Sequence, residues 1–258
     1  MRWKTILKNA SMSCHLYGPI KRIQRLLDAE ALRQFRSNVT LYAPFVSPGD
    51  LCFDVGSNIG EKAEVFLALG ATVVAFEPQP SIFSEMKARC GPNRRLIATN
   101  AALGSAPGEL PMYISTRMGA SSLVPSWAQD VKDVITVPVT TLDQAIQRHG
   151  EPSLCKIDVE GYELEVLKGL TRALRCITLE YHHTESDVKK ILECVDYLSQ
   201  FGELSMNVTL GEEAKFHWPD WITYNVFREY FPSRAPRTAT CGYGDLFIRM
   251  RPGAKQAA

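Results

Sequence analysis

No run of apolar residues in this chain is long enough to cross a membrane, and its charges nearly cancel: 29 Lys and Arg stand against 28 Asp and Glu in 258 residues, a formal net charge of +1. The first lack excludes a spanning helix, which needs about 20 consecutive apolar residues. The second removes the broad positive field that draws nucleic acid or anionic membrane to a surface, so a small or neutral partner is expected. A Cys-x-x-Cys pair is also missing. The seven cysteines (Cys14, Cys52, Cys90, Cys155, Cys176, Cys194, Cys241) are odd in number and widely spread, which excludes zinc or thiol redox work built on that spacing. They read as reduced thiols, with Cys52, Cys155 and Cys176 in apolar runs as small hydrophobes, and this favours the cytoplasm. The segment up to Arg22 is basic but only sparsely apolar, without the continuous core of a signal peptide. Internal repeats and low-complexity tracts are absent. What is present is ordinary globular usage, 45% hydrophobic and 22% charged residues, at a length that suits one α/β domain with a terminal extension.

Residues 1–45 are expected to form a helical extension. Ile20, Ile23, Leu26, Leu27 and Leu32 recur at near-helical spacing between Gly18 and Val39, on a helix that caps the core or joins a lid. Residues 46–250 are expected to form the main domain and 251–258 a frayed tail. LCFDV reads as a strand ending in a turn, EKAEVFLALG as the helix after it, TVVAFEP as a second strand and PSIFSEMKARCG as a second helix with Pro80 in its first turn. RLIATNAALG, LCKIDV and RCITLEYHH read as further strands, with TTLDQAIQRHG and GYELEVLKG as helices between them and Thr184 with Asp187 as a helix-start signature. ELSMNVTL and YGDLFIRM are the last two strands. The rhythm breaks over about 105–140, read as an insertion above the site, where two extended segments flank the polar loop MGASSLVPSW. An aromatic-rich segment fills about 211–240. Alternating strand and helix predicts parallel strands with helices on both faces.

The most informative stretch is Phe53-Asp54-Val55-Gly56-Ser57-Asn58-Ile59-Gly60, where a buried strand runs into a turn that opens a helix. Gly56 and Gly60 let the backbone approach a ligand, and Asn58 tolerates positive φ better than most residues. Asp54 can accept hydrogen bonds from an amino-bearing ligand. Glu77, at the end of the next strand, stands where an acid meets the hydroxyls of a ribose. Gly56-x-x-x-Gly60 departs from G-x-G-x-x-G, which weakens the case for a dinucleotide and its pyrophosphate.

FDVGSNIG, AFEPQP, NAALG, TTLD and KIDVEGYELEVLKG, in this order, resemble the FkbM family of S-adenosylmethionine-dependent methyltransferases over roughly Asp50 to His183. The resemblance implies a Rossmann-like class I methyltransferase fold with a mostly parallel seven-stranded sheet and helices on both faces. It implies S-adenosylmethionine as methyl donor and mainly hydroxyl acceptors on sugars, polyketides or other small metabolites. By position it implies that Asp54, Gly56, Asn58 and Gly60 line the methionine moiety, that Glu77 holds the ribose, and that Asn100 with Ala101 borders the adenine.

An alcohol must lose its proton during transfer, and carboxylates or histidines at the strand ends are candidates for the base: Asp158 first, then His182, with Glu160, Glu180 and His183 nearby. The bland reading beside this is that Glu160, or less readily Asp158, caps the following helix, which is compatible with catalysis. No metal is assigned, although Asp158 and Glu180 with a histidine could hold a divalent ion. Ser121 and Ser122 are read either as ligand contacts or as a solvated turn. His217, Trp218, Trp221, Tyr224, Phe227 and Tyr230 are read either as an acceptor platform or as core. An NAD-dependent oxidoreductase is the alternative enzyme, set back by the missing pyrophosphate fingerprint; a non-catalytic nucleoside-binding protein is the alternative outside enzymes, and nucleic-acid methylation is disfavoured by the charge balance.

Overall fold

A computed structural model describes residues 28–117, 119–211, 213–234 and 242–252. The start of the expected first helix, part of the aromatic segment and most of the tail lie outside the described residues. The first described helix, α1 (Ala29–Tyr42), is capped by Asp28, whose Oδ1 accepts from the amides of Glu30 and Ala31 at 3.0 and 3.2 Å.

Two strand–helix units and a third strand follow: β1 (Leu51–Val55), α2 (Glu61–Ala68), β2 (Thr72–Phe76), α3 (Pro80–Cys90) and β3 (Leu96–Thr99). The chain then leaves the main sheet. β4 (Ala102–Leu103), β5 (Gly108–Ser115) and β6 (Val131–Thr140) form a separate three-stranded sheet in the order β4-β6-β5, over the stretch read as an insertion and starting slightly before it. It returns through α4 (Leu142–His149), β7 (Leu154–Ile157), α5 (Glu163–Lys168), β8 (Cys176–His182), α6 (Glu185–Ser199) and β9 (Gly202–Val208), and ends in β10 (Ile222–Thr223), α7 (Tyr224–Arg234) and β11 (Tyr243–Pro252).

The main sheet runs β10-β9-β11-β8-β7-β1-β2-β3, with β8-β7-β1-β2-β3 parallel and β11 antiparallel to both of its neighbours. It therefore has eight strands rather than the expected seven. The additional one is the two-residue β10 inside the aromatic segment, paired antiparallel with β9 through Ile222 and Met206; two residues are too few for a periodic signal in sequence.

The central strands are buried on both faces and so read as unbroken apolar runs. Phe53 joins a core with Leu142 of α4, Val166 of α5, Ile191 of α6 and Phe227 of α7. Its neighbour Cys52 points into a second core with Tyr42 of α1, Phe66 of α2, Met86 of α3 and Phe247. Helices thus cover both faces. Tyr42 meets Phe66 edge-on at 5.0 Å and Phe247 at 5.5 Å, so the second half of α1 is packed on the sheet.

Candidate active site

The turn after β1 and the exits of β2, β7 and β8 meet at one edge of the sheet, where ligands bind in open α/β folds. Gly56 sits at φ 76°, and a Cβ there would lie 1.8 Å from the carbonyl oxygen of Asp158. No side chain fits between these two turns. Asn58 adopts φ 48°, the left-handed conformation its side chain tolerates. Gly60 opens α2 at φ 84°, and a Cβ would meet Met86 at 2.9 Å, so its role is helix packing. Glu77 ties the turn to β2: its two carboxylate oxygens accept from the amides of Asn58 at 3.0 Å and Gln79 at 2.8 Å. Asn100 donates to the carbonyls of Glu77 at 2.8 Å and Pro78 at 2.9 Å, bracing that loop from behind.

Two adjoining cavities open here. The larger, about 340 Å³, is lined by Glu77, Pro78, Ile82, Ala101 and Leu103, and roofed by Ser121 and Lys132 of the insertion. The smaller, about 260 Å³, is lined by Asn38, Asp54, Lys62, Lys156, Glu180 and Asp245. Gly56, Asn58, Gly119 and Asp158 line both. Gly60 and Asn100 line neither cavity; they hold the frame.

The smaller cavity concentrates charge. Asp54 is 1% exposed and its Oδ2 has no hydrogen-bond partner; burial pushes its carboxyl up to about 6, against the opposing pull of Lys156. Lys156, 2% exposed, donates from Nζ to Asp158 Oδ2 at 2.7 Å. Burial alone would discharge this ammonium, yet the carboxylates of Asp158, Asp245 and Asp54 hold it charged. Burial would likewise raise Asp158, but the charge and hydrogen bond of Lys156, with a hydrogen bond from Glu180, keep its carboxyl below the ordinary range. Glu180 moves the other way, driven up by burial and by the charge of Asp158, and remains protonated at neutral pH as a donor to it. Glu160, at φ 55°, accepts from Trp127 Nε1 at 2.9 Å and is pushed up to about 7 by burial and by Asp158.

Neither Asp158 nor Glu160 caps the next helix with its side chain. The helix has no side-chain cap; Glu163, its first residue, instead closes the turn before it, accepting from the amides of Val159 at 3.2 Å and Gly161 at 3.0 Å. Asp158, Glu160 and Glu180 bring one oxygen each within 4.8 Å of one another, a grouping that could suit a cation; no histidine belongs to it, and Lys156 already supplies positive charge there.

His182 lines neither cavity. Its ring lies against Trp127 at 5.5 Å and Tyr243 at 6.3 Å, and its amide donates to Asp187, the residue that returns from the start of α6. The geometry that supports Asp158 as a base is lacking for His182, and the ring of His183 packs on Tyr181 at 5.2 Å. The aromatic segment also faces inward: Phe227 stacks on Phe231 at 4.5 Å, and Trp218 packs edge-on to Phe227 and Tyr230. None of its aromatic side chains lines either cavity; Phe227 is in the core, Trp218, Trp221, Tyr224 and Tyr230 are half-buried, and His217 is exposed. Ser121 and Ser122 do line the larger cavity, but their hydroxyls bond to the protein, Ser121 accepting from Ser115 N at 3.1 Å and Ser122 donating to Glu160 O at 2.7 Å. Sequence reasoning passed over Lys156, Lys62 and Trp127. The available signal was a lysine in the middle of the apolar strand LCKIDV.

The Methyltransferase FkbM domain matches residues 54–216. The chain belongs to this family. The "Hexuronic acid methyltransferase AglP" of Haloferax volcanii is 31% identical over 183 residues, spanning 67% of this chain and 72% of that protein. Solved structures with a similar course of chain include an rRNA methylase from Streptococcus thermophilus, with TM-score 0.46, 10% identity and coverage of 83% and 94%. Another is a ribosomal protein L11 methylase from Lactobacillus delbrueckii subsp. bulgaricus, with TM-score 0.44, 11% identity and coverage of 83% and 77%. Likenesses this remote leave the assignment to the domain match. The chain is thus a methyltransferase that uses S-adenosylmethionine, not an oxidoreductase, and no described helix is long and apolar enough to cross a membrane. The residues present fit that cofactor. The orphaned Oδ2 of Asp54 awaits a donor, and the close turn at Gly56 leaves backbone at the cavity wall.

Proposed function

We propose that this FkbM-family enzyme methylates a hydroxyl of a sugar or similar polyhydroxylated metabolite, with Asp158 accepting the hydroxyl proton. The observation that carries this is the position of Asp158 at the junction of the two cavities, kept as a carboxylate by a buried lysine. The sugar-acid substrate in the name of the Haloferax relative supports the acceptor class.

When bound, S-adenosylmethionine supplies a methyl group on a sulfonium, a strong electrophile with a neutral leaving group. Asp54 would accept from its ammonium and Glu77 from its ribose hydroxyls, and Ala101, Ile82 and Leu103 would border the adenine. Placing the acceptor oxygen in line is worth much of the acceleration. Asp158 adds the uptake of the proton, and Lys156 prevents that carboxylate from being protonated beforehand. Cytoplasmic residence belongs to the same proposal, since a reducing compartment suits the buried free thiols Cys52, Cys90, Cys155, Cys176 and Cys194.

The test is Asp158→Asn assayed on hexoses and hexuronic acids with a methyl-labelled donor. We expect kcat to fall by about 10²–10⁴-fold, the usual worth of a positioned base, while cofactor affinity by calorimetry stays within a few-fold. The wild-type product should resist mild alkali, as an ether does. A product cleaved by alkali would be a methyl ester on a carboxylate and would overturn the hydroxyl acceptor; unchanged kcat in the variant would overturn the base.

A further inference from the structure

An α-amino acid end is a zwitterion, and a cavity that receives it needs an acceptor for the ammonium and a cation for the carboxylate. The smaller cavity contains both. The acceptor is Asp54, with its fully buried and unpartnered Oδ2. The same cavity is lined by Lys62, in the first turn of α2, where helix amides and the positive end of the helix dipole already favour an anion. Lys62 Nζ is 3.0 Å from Asn38 Oδ1, and Asn38 is itself fixed by donating from Nδ2 to Gln34 O at 3.2 Å within α1. The other lysine on this cavity wall, Lys156, is committed to Asp158. We propose that Lys62 receives the α-carboxylate of the cofactor's methionine end, with Asn38 of α1 aiming it and Asp54 taking the ammonium.

This assignment rests on the cofactor placement proposed above, and it gives α1 a function: the helix before the first strand completes the cofactor site. The carboxylate would sit between a side-chain ammonium and the opening amides of α2. Charge-assisted hydrogen bonds of this kind are about twice as strong as neutral ones.

The test compares two neutral probes of the site by isothermal titration calorimetry. S-adenosylhomocysteine carries the amino acid end; 5′-methylthioadenosine keeps the nucleoside and thioether and lacks it. Lys62→Ala should weaken S-adenosylhomocysteine by about tenfold or more and leave 5′-methylthioadenosine within about twofold. Lys62→Arg should restore most of the loss, and Asn38→Ala should weaken S-adenosylhomocysteine selectively but less. Retained methylthioadenosine binding also reports that each variant is folded. Equal losses for both probes, or an unchanged affinity for S-adenosylhomocysteine in Lys62→Ala, would overturn the proposal. Wild-type protein that binds neither probe would sink the cofactor placement, and this inference with it.

Discussion

Asp54 and Asp158 face the same buried ammonium, and their carboxyls move in opposite directions. The difference is contact. Asp158 receives a hydrogen bond from Lys156 at 2.7 Å and another from Glu180, whereas Asp54 Oδ2 receives none. Desolvation therefore wins at Asp54 and loses at Asp158. The sign for catalysis follows: a base that must be ionised works above its pKa, so the acid limb of kcat/KM in the wild type should fall below the ordinary carboxylate range. In Lys156→Gln the burial remains and the counter-charge is gone, so that limb should move up by about one pH unit or more. Lys156→Arg should keep it low. Cofactor affinity in Lys156→Gln, measured at the pH of maximal activity, separates this positioning role from loss of the fold; an acid limb that stays where it was would end the argument that Lys156 acts through Asp158.

At the level of elements, the insertion is tied to the turn after β7 by Trp127 and by Ser122, whose hydroxyl donates to Glu160 O at 2.7 Å. The indole nitrogen of Trp127 donates to the Glu160 carboxylate and its ring carries Lys190 of α6 at 4.4 Å. Glu160 is thereby drawn to the edge of the larger cavity. Trp127→Phe keeps a ring for Lys190 and removes the hydrogen bond. Acceptor KM should rise by about tenfold, the cost of a bond to a charged group, with cofactor affinity within about twofold; a loss in cofactor affinity instead would mean the insertion closes on the donor. None of this was legible in the sequence, where MGASSLVPSW is only a polar loop. The turn after β1, Glu77 and the start of α6 were legible, because each rests on residues near in sequence: a glycine turn, an acid at a strand end, and Thr184, whose hydroxyl accepts from the amide of Asp187. Lys62, Asn38 and Lys156 were not, since their meaning depends on which face of a helix or strand packs against another element. The aromatic segment was ambiguous for the same reason: ring content cannot tell a sugar platform from the core that Phe227 and Phe231 build under β9 and α6.

Across the whole molecule, the site is a store of carboxyls kept from water before any ligand arrives. Burial lifts Asp54 from an ordinary 3.8 to about 6, and Glu77, Glu160 and Glu163 from 4.5 to about 7, each partly opposed by its hydrogen bonds. Between the ordinary values and these raised ones the folded chain holds more protons than the unfolded chain, so stability must fall as pH rises through that window. The stabilising contribution of these four groups is full below about pH 4 and is lost by about pH 7. His149, lowered by burial and by Arg148, acts in the opposite sense but is a single, mostly solvated group. Asp158, held low, contributes only under more acidic conditions. The ligand-free protein is therefore expected to melt at a higher temperature at pH 5.5 than at pH 7.5, which differential scanning calorimetry in matched ionic strength can read. Glu163→Gln, which keeps the shape of the turn before α5 and removes one titrating group, should flatten the dependence. A Tm that is level or falls on acidification would mean that these carboxyls are better solvated in the free protein than the closed turn around Asp158 implies.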